Sequence, residues 1–217
     1  MAAQVWAIVV AGGSGRRFGR HKQFAMLADQ PVAQWSVTAC RPTADGVVLV
    51  VPAGFEAQGD CGAERVVTGG PTRSASVRCG LAAVPDGADL IIIHDAARPL
   101  ASPDLFIAVA TAATETGAAI CALPVSDTIK RVDDGLVTET LDRTALVAVQ
   151  TPQAFEAGLL RRAHAAGLEA TDDAALVEQL GVPVRVVPGD VGNFKITTPA
   201  DLRAAEQCLG ASAGPST

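Results

Sequence analysis

Six short runs rich in branched aliphatic residues punctuate the chain: VWAIVV (5–10), VVLVV (47–51), RVVT (65–68), LIIIH (90–94), AAICALPV (118–125) and VRVV (184–187). Continuous apolar runs of this length fit strands buried on both faces, and alanine-rich segments between them predict helices at 31–41, 73–84, 103–116, 155–167, 172–180 and 199–208. Strands that alternate with helices build a mostly parallel sheet covered on both sides, a doubly wound α/β architecture. Ser102 before Pro103 and Thr198 before Pro199 mark two of the helix starts. The 217 residues suit one domain over 1–209, with GASAGPST at 210–217 as a flexible tail. Residues 127–150 break the alternation. They have no helical period, and extended stretches flank Asp133, Asp134 and Gly135, so they read as a projecting β-ribbon. A lone hairpin is marginal in water and needs a packing partner, for which a second copy of the chain is the natural choice.

In such sheets ligands collect at the carboxyl ends of the strands. The first strand ends there in AGGSGRRFGRHK, where Gly12, Gly13 and Gly15 precede Arg16, Arg17, Arg20, His21 and Lys22. Glycines let backbone N–H groups approach anionic oxygens, and the cations neutralise what the backbone cannot, which points to a polyphosphate. The dinucleotide pattern G-x-G-x-x-G fails because Phe18 occupies its third glycine position, and VVLVVPAG supplies no carboxylate for a ribose. No glycine-lysine-hydroxyl run of the ATPase type is present. A Gly-rich turn alone can be a tight connection and no more; the basic cluster argues against that here.

Asp95 leaves the apolar strand LIIIHD and is followed by Arg98. Alone, such an Asp would serve as a helix cap. Next to a triphosphate loop it is placed to hold magnesium or another divalent cation, which needs few carboxylates beside phosphate oxygens.

A net charge of −6 argues against duplex nucleic acid, and the absence of tyrosine with only 4% aromatics removes stacking platforms for single strands. Cys40, Cys61, Cys79, Cys121 and Cys208 form no C-x-x-C pair, which favours reduced thiols and a cytoplasmic setting. His21, His94 and His164 lie far from any cysteine pair, against zinc. No membrane span or secretory pattern is evident.

AGGSGRRF with Lys22, GGPTRSASV, HDAARP, PVSDTIKRV, LDRTAL, QTPQAF, TDDAALVE and NFKITTPADL follow one another from the first strand to about Leu209. In this order the chain resembles the 2-C-methyl-D-erythritol 4-phosphate cytidylyltransferases of the non-mevalonate isoprenoid pathway. A group of ribitol- or ribulose-phosphate cytidylyltransferases shares several of these motifs. The resemblance implies a Rossmann-like nucleotidyltransferase fold and in-line attack of a sugar-alcohol phosphate on the α-phosphorus of CTP. It implies that Arg17 and Lys22 stabilise the charge that develops. Ala11, Gly12, Gly13 and Gly15 would bind the nucleotide through their backbone, with Gly70, Arg73 and Ser76 near the base and Asp95 and Ala96 near the ribose and metal. Thr128, Arg143 and Lys195 would meet the sugar phosphate, with Thr171 and Asp172 nearby. Thr128 and Arg143 would act across a homodimer formed through the ribbon. TDDAALVE would also serve any protein as a helix start, and Ser76 any helix amino terminus. His21 stands where most relatives carry proline, and Pro71 where many carry a polar residue. With the resemblance ending near Leu209, a chain without the cyclodiphosphate synthase domain that is fused to members of this family in some bacteria is the expectation. A catalytically silent nucleotide-binding module is the alternative of another class, and the retained cations argue against it.

Overall fold

The computed structural model describes residues 3–13, 18–19 and 21–212. The elements begin with β1 (Val5–Val10), β2 (Met26–Leu27), β3 (Gln30–Pro31), α1 (Val32–Cys40), β4 (Gly46–Val51), β5 (Arg65–Thr68), α2 (Arg73–Ala83) and β6 (Leu90–Asp95). They continue with α3 (Pro103–Thr116), β7 (Ala118–Pro124), β8 (Lys130–Asp133), β9 (Leu136–Thr140), β10 (Val147–Glu156), α4 (Ala157–Ala165), α5 (Ala174–Glu178), β11 (Arg185–Pro188) and α6 (Pro199–Ser212).

Seven strands form the main sheet in the order β11-β7-β10-β6-β1-β4-β5. Every neighbouring pair is parallel except the two that involve β10. Alternation along each strand divides the core. Ala7, Val9, Leu49 and Ile92 face Val37, Phe106 and Val109 of α1 and α3, whereas Ile8, Val50, Ile91 and Ile93 face Val77, Leu81, Leu160 and Val177 of α2, α4 and α5. Both faces are thus apolar and covered, as continuous hydrophobic strands require.

The largest departure from the sequence reading is a strand. Val147–Glu156 is a single strand inserted antiparallel between β6 and β7, so 147–150 belong to the main sheet and not to the ribbon. The helix expected from residue 155 begins at Ala157, after Glu156 accepts from the N–H groups of Gly158 (2.9 Å) and Leu159 (2.7 Å). AVQTPQAF carries Pro152 and three polar residues, so its local strand preference is weak; pairing on both edges and burial of Ala154 and Phe155 override it. The ribbon itself is β8 and β9, joined at Asp134 (φ 45°) and Gly135 (φ 76°), two successive left-handed residues of the kind that a tight hairpin turn demands. Helix α6 runs to Ser212, so 210–212 are helical rather than tail, and 213–217 lie outside the described residues.

A third, smaller cluster of Phe18, Leu27, Val32, Ile196, Leu202 and Ala205 seats α6 and the β2–β3 hairpin against the segment carrying Lys195. Among the described residues, no helix is long and apolar enough to cross a membrane.

Candidate active site

The carboxyl ends of β1, β4 and β6 open into a cleft of 760 Å³. Gly12, Gly13, Lys22, Gly70, Arg73, Ser76, Asp95, Ala96 and Lys195 line it together with Ala11, which brings most of the sequence-predicted residues onto one surface. The Ala11 N–H extends the β1–β4 pairing by donating to Val50 O (2.8 Å); the chain then turns into the glycines. A Cβ on Gly12 would lie 2.9 Å from Ser76 Oγ, and one on Gly69 2.7 Å from the same atom. The absence of side chains at these positions lets two loops close on Ser76.

Helix α2 delivers Arg73 and Ser76. Thr72 caps it, accepting from Ala75 N at 3.0 Å, and Ser76 Oγ donates back to Thr72 O at 2.9 Å. Gly80 brings the helix down onto the sheet, since a Cβ there would meet Ile8 Cγ2 at 2.6 Å. Glycine costs a helix interior about 1 kcal/mol, and close packing offsets that loss.

Asp95 stands at the centre of the charges. Lys195 Nζ donates to its Oδ2 at 2.6 Å and Arg73 Nε to its Oδ1 at 3.2 Å. Burial alone would raise the Asp95 pKa, but the Arg73 and Lys195 charges overcome it and hold the carboxyl well below the usual range. Arg73 in turn donates to the buried Asp173 (2.8 Å), which contacts His164 Nε2 at 3.0 Å. Burial works against the Arg73 charge, and the two carboxylates overcome that and keep it protonated. Lys22 Nζ donates to Ile196 O at 2.6 Å, placing the loop lysine beside the residue that follows Lys195.

The segment bearing Lys195 is pinned by buried polar contacts. Asn193 Nδ2 donates to Thr151 O (2.9 Å), Arg98 to Asn193 O (2.7 Å), and the Ile196 N–H to Ala97 O (2.8 Å). His94 ties the same region to β10. The Asp95 N–H donates to Thr151 Oγ1 (3.0 Å), which lies 3.1 Å from His94 Nδ1, and His94 Nε2 faces Arg98 O at 3.2 Å. A carbonyl only accepts, so the ring proton is on Nε2 and Nδ1 accepts from the threonine hydroxyl. Burial lowers the His94 pKa from its ordinary 6.5 to about 4, so the ring is neutral at pH 7.

A second cavity of 410 Å³ shares Arg73, Asp95 and Lys195 with the first and is otherwise lined by Arg98, Gln150, Thr151, Gln153, Thr171 and Asp172 among others. Thr171 and Asp172 thus lie in this second cavity and not in the first. Asp172 also acts as a helix-start residue: its Oδ1 accepts from Ala175 N (3.1 Å) and its Oδ2 from Gln153 Nε2 (3.0 Å). Arg98, Gln150, Thr151 and Gln153 were not among the predicted site residues, although HDAARP and QTPQAF contain them. Thr128 and Arg143 line neither cavity of their own chain. Both are exposed, and Arg143 donates to the Ser126 carbonyl at the base of the ribbon. Gly15 and Arg17, with Arg16 and Arg20, lie outside the described residues.

Fold and cleft together define a Rossmann-like α/β protein with a cleft, lined by Lys22, Arg73 and Lys195, where its parallel strands end. Within that class, the chain belongs to the 2-C-methyl-D-erythritol 4-phosphate cytidylyltransferase (IspD) family, whose model matches residues 5–211. The chain is 47% identical over 224 residues to the bifunctional enzyme IspD/IspF of Anaeromyxobacter dehalogenans, covering 96% of this chain and 58% of that protein. It therefore spans less than two thirds of that relative's length. It is 44% identical over 209 residues to 2-C-methyl-D-erythritol 4-phosphate cytidylyltransferase of Deinococcus radiodurans, covering 94% of this chain and 89% of that one. The crystal structure of the Thermus thermophilus 2-C-methyl-D-erythritol 4-phosphate cytidylyltransferase superposes with a TM-score of 0.82 at 37% identity, covering 97% of this chain and all of that one.

Proposed function

We propose that this chain transfers the cytidylyl group of CTP to 2-C-methyl-D-erythritol 4-phosphate, giving 4-diphosphocytidyl-2-C-methyl-D-erythritol and pyrophosphate. The observation that carries the reading is the pair of cavities meeting at Arg73, Asp95 and Lys195. The larger one, ending in the glycine loop and Lys22, takes CTP; the smaller takes the sugar phosphate. An oxygen of the acceptor phosphate attacks the α-phosphorus of CTP, the new P–O bond forms, and the bond to the β-phosphate breaks with its electron pair leaving on pyrophosphate. No covalent intermediate on the protein is required.

In this reading the protein positions the two anions and offsets the charge that grows as they react. Loop N–H groups and Lys22 grip the leaving pyrophosphate, with Arg17 as a second cation. Lys195, on the wall common to both cavities, brings the acceptor phosphate to the α-phosphorus, and Asp95 holds its ammonium in place. One such preorganised cation is worth on the order of 10²- to 10³-fold in rate. Asp95 would hold magnesium together with oxygens of the triphosphate. Asp95 is the cleft's carboxylate, and cations already engage both of its oxygens, so phosphate oxygens would supply most of the ligands. When bound, the ion offsets triphosphate charge.

Thr128 and Arg143 are assigned to the acceptor site of a second copy of the chain. Their exposure supports this, as do the exposed Val132, Leu136 and Val137 of the ribbon, which leave it an apolar surface to cover. A cytoplasmic location goes with this reading.

Pyrophosphate release in the presence of CTP and magnesium, measured with 2-C-methyl-D-erythritol 4-phosphate, ribitol 5-phosphate and ribulose 5-phosphate in turn, tests the assignment. The first acceptor should turn over with the highest kcat/KM; a strong preference for either of the others replaces it.

A further inference from the structure

One side chain engages two backbone carbonyls just after β1. Gln23 is buried, and its Nε2 donates to the carbonyls of Ala11 (2.6 Å) and Gly13 (3.0 Å). Its two amide hydrogens are thereby committed to one loop, with His21 Nδ1 a weaker third neighbour at 3.4 Å. The amide cannot be turned over, because its own oxygen would then face two carbonyl oxygens. A trans peptide places its N–H opposite its C=O, so holding the Ala11 carbonyl on Gln23 directs the Gly12 N–H the other way. Among the described residues, the N–H groups of Gly12 and Gly13 have no protein acceptor, and both glycines line the larger cleft. Without a Cβ, little else fixes the orientation of these peptide planes. Gln23 and Lys22 leave the same 3₁₀ turn, Lys22–Phe24, so one short element supplies both the charge and the restraint on the loop.

We propose that Gln23 is a positioning residue for the nucleotide: by taking up the carbonyls of Ala11 and Gly13 it keeps their negative ends off the triphosphate, and through the Ala11 carbonyl it keeps the Gly12 N–H turned toward it. This rests on the CTP reading above. Gln23 touches the loop and not the reacting atoms, so its removal acts on nucleotide binding and leaves acceptor binding alone. A role in folding alone would lower stability without separating the two substrates.

Two variants test this. Gln23→Met keeps the length and removes both donors; Gln23→Glu turns an acceptor onto the same carbonyls. The expected result for Gln23→Met is a KM for CTP raised about tenfold or more, with the acceptor KM within about twofold of wild type. Gln23→Glu should have the larger effect. Calorimetric titration with CTP alone should weaken in parallel. Wild-type CTP affinity in both variants, or equal losses for both substrates, overturns the proposal. If neither variant folds, selective ¹⁵N-glutamine labelling of the wild type decides. The Gln23 side-chain amide should exchange slowly and shift on addition of CTP, and a fast-exchanging, unshifted signal is the contrary result. Wild-type protein that binds CTP yet transfers it to no sugar phosphate removes the enzymatic reading and leaves the Gln23 role to the titration. Wild-type protein that does not bind CTP removes both.

Discussion

Lys195 Nζ lies 2.6 Å from Asp95 Oδ2, a contact across 100 residues that joins the end of β6 to the segment before α6. Asp95→Asn removes the charge that both Lys195 and Arg73 face, and it leaves the Arg73 guanidinium with one carboxylate in place of two. We expect kcat/KM to fall at least about 100-fold, comparable to the loss of one preorganised charge contact. Asp95→Asn and Lys195→Met combined should cost far less than the sum of the two, because they remove one unit. Steady-state kinetics on the double-mutant cycle measure this, and simple additivity would argue that the two residues act separately.

Gly69→Ala should destabilise the fold by about 1–3 kcal/mol, the usual cost of overpacking. The added methyl would lie 2.7 Å from Ser76 Oγ and 3.1 Å from Val50 Cγ1. Ser76→Gly in the same chain should recover part of that loss, by relieving the shorter contact and leaving the other. Urea denaturation of the single and double variants gives the comparison; no recovery would place the strain elsewhere.

His94 gives the stability an acid limb. Its pKa is about 4 in the folded protein and near 6.5 when unfolded, so the unfolded chain binds the extra proton in that window. The contribution is full above pH 6.5 and is lost progressively as the pH falls toward 4, amounting to a few kcal/mol. His94→Gln should start less stable at pH 7 and show a shallower decline over this interval. Parallel pH dependences of wild type and variant would contradict the assignment.

If Arg143 serves a second copy of the chain, Lys22→Ala and Arg143→Ala lie in different protomers of one site. Each homodimer would be inactive. Random mixing puts both lesions into one site of each heterodimer and leaves its other site intact, so about a quarter of wild-type activity should return. Mixtures that stay inactive would put Arg143 in its own chain's site or outside any site.

The parallel framework was legible because β1, β4 and β6 are buried on both faces and so are written as unbroken aliphatic runs. The sequence also singled out Gly12, Gly13 and Lys22, which come from one stretch of glycines and cations, and Lys195, which stands out between Phe194 and Ile196; all four line the larger cleft. Strand β10 was hidden because its hydrogen bonds and its burial come from β6 and β7, distant in sequence, while its own residues mix proline, glutamine and threonine. The ion pair of Arg73 with Asp173 was hidden for the same reason, since TDDAALVE looks locally like a helix start and nothing local distinguishes a cap from a buried charge partner. Gln23 escaped notice because a glutamine beside a conspicuous lysine carries no charge signal, and its role appears only once the loop carbonyls are seen on its amide.

The most direct measurement is a crystal structure of the chain soaked with CTP and magnesium. Density for the triphosphate on Gly12, Gly13 and Lys22, with the α-phosphorus turned toward Lys195, is the expected result. Nucleotide bound elsewhere while this cleft stays empty contradicts the assignment of the cleft and, with it, the direction of transfer between the two cavities.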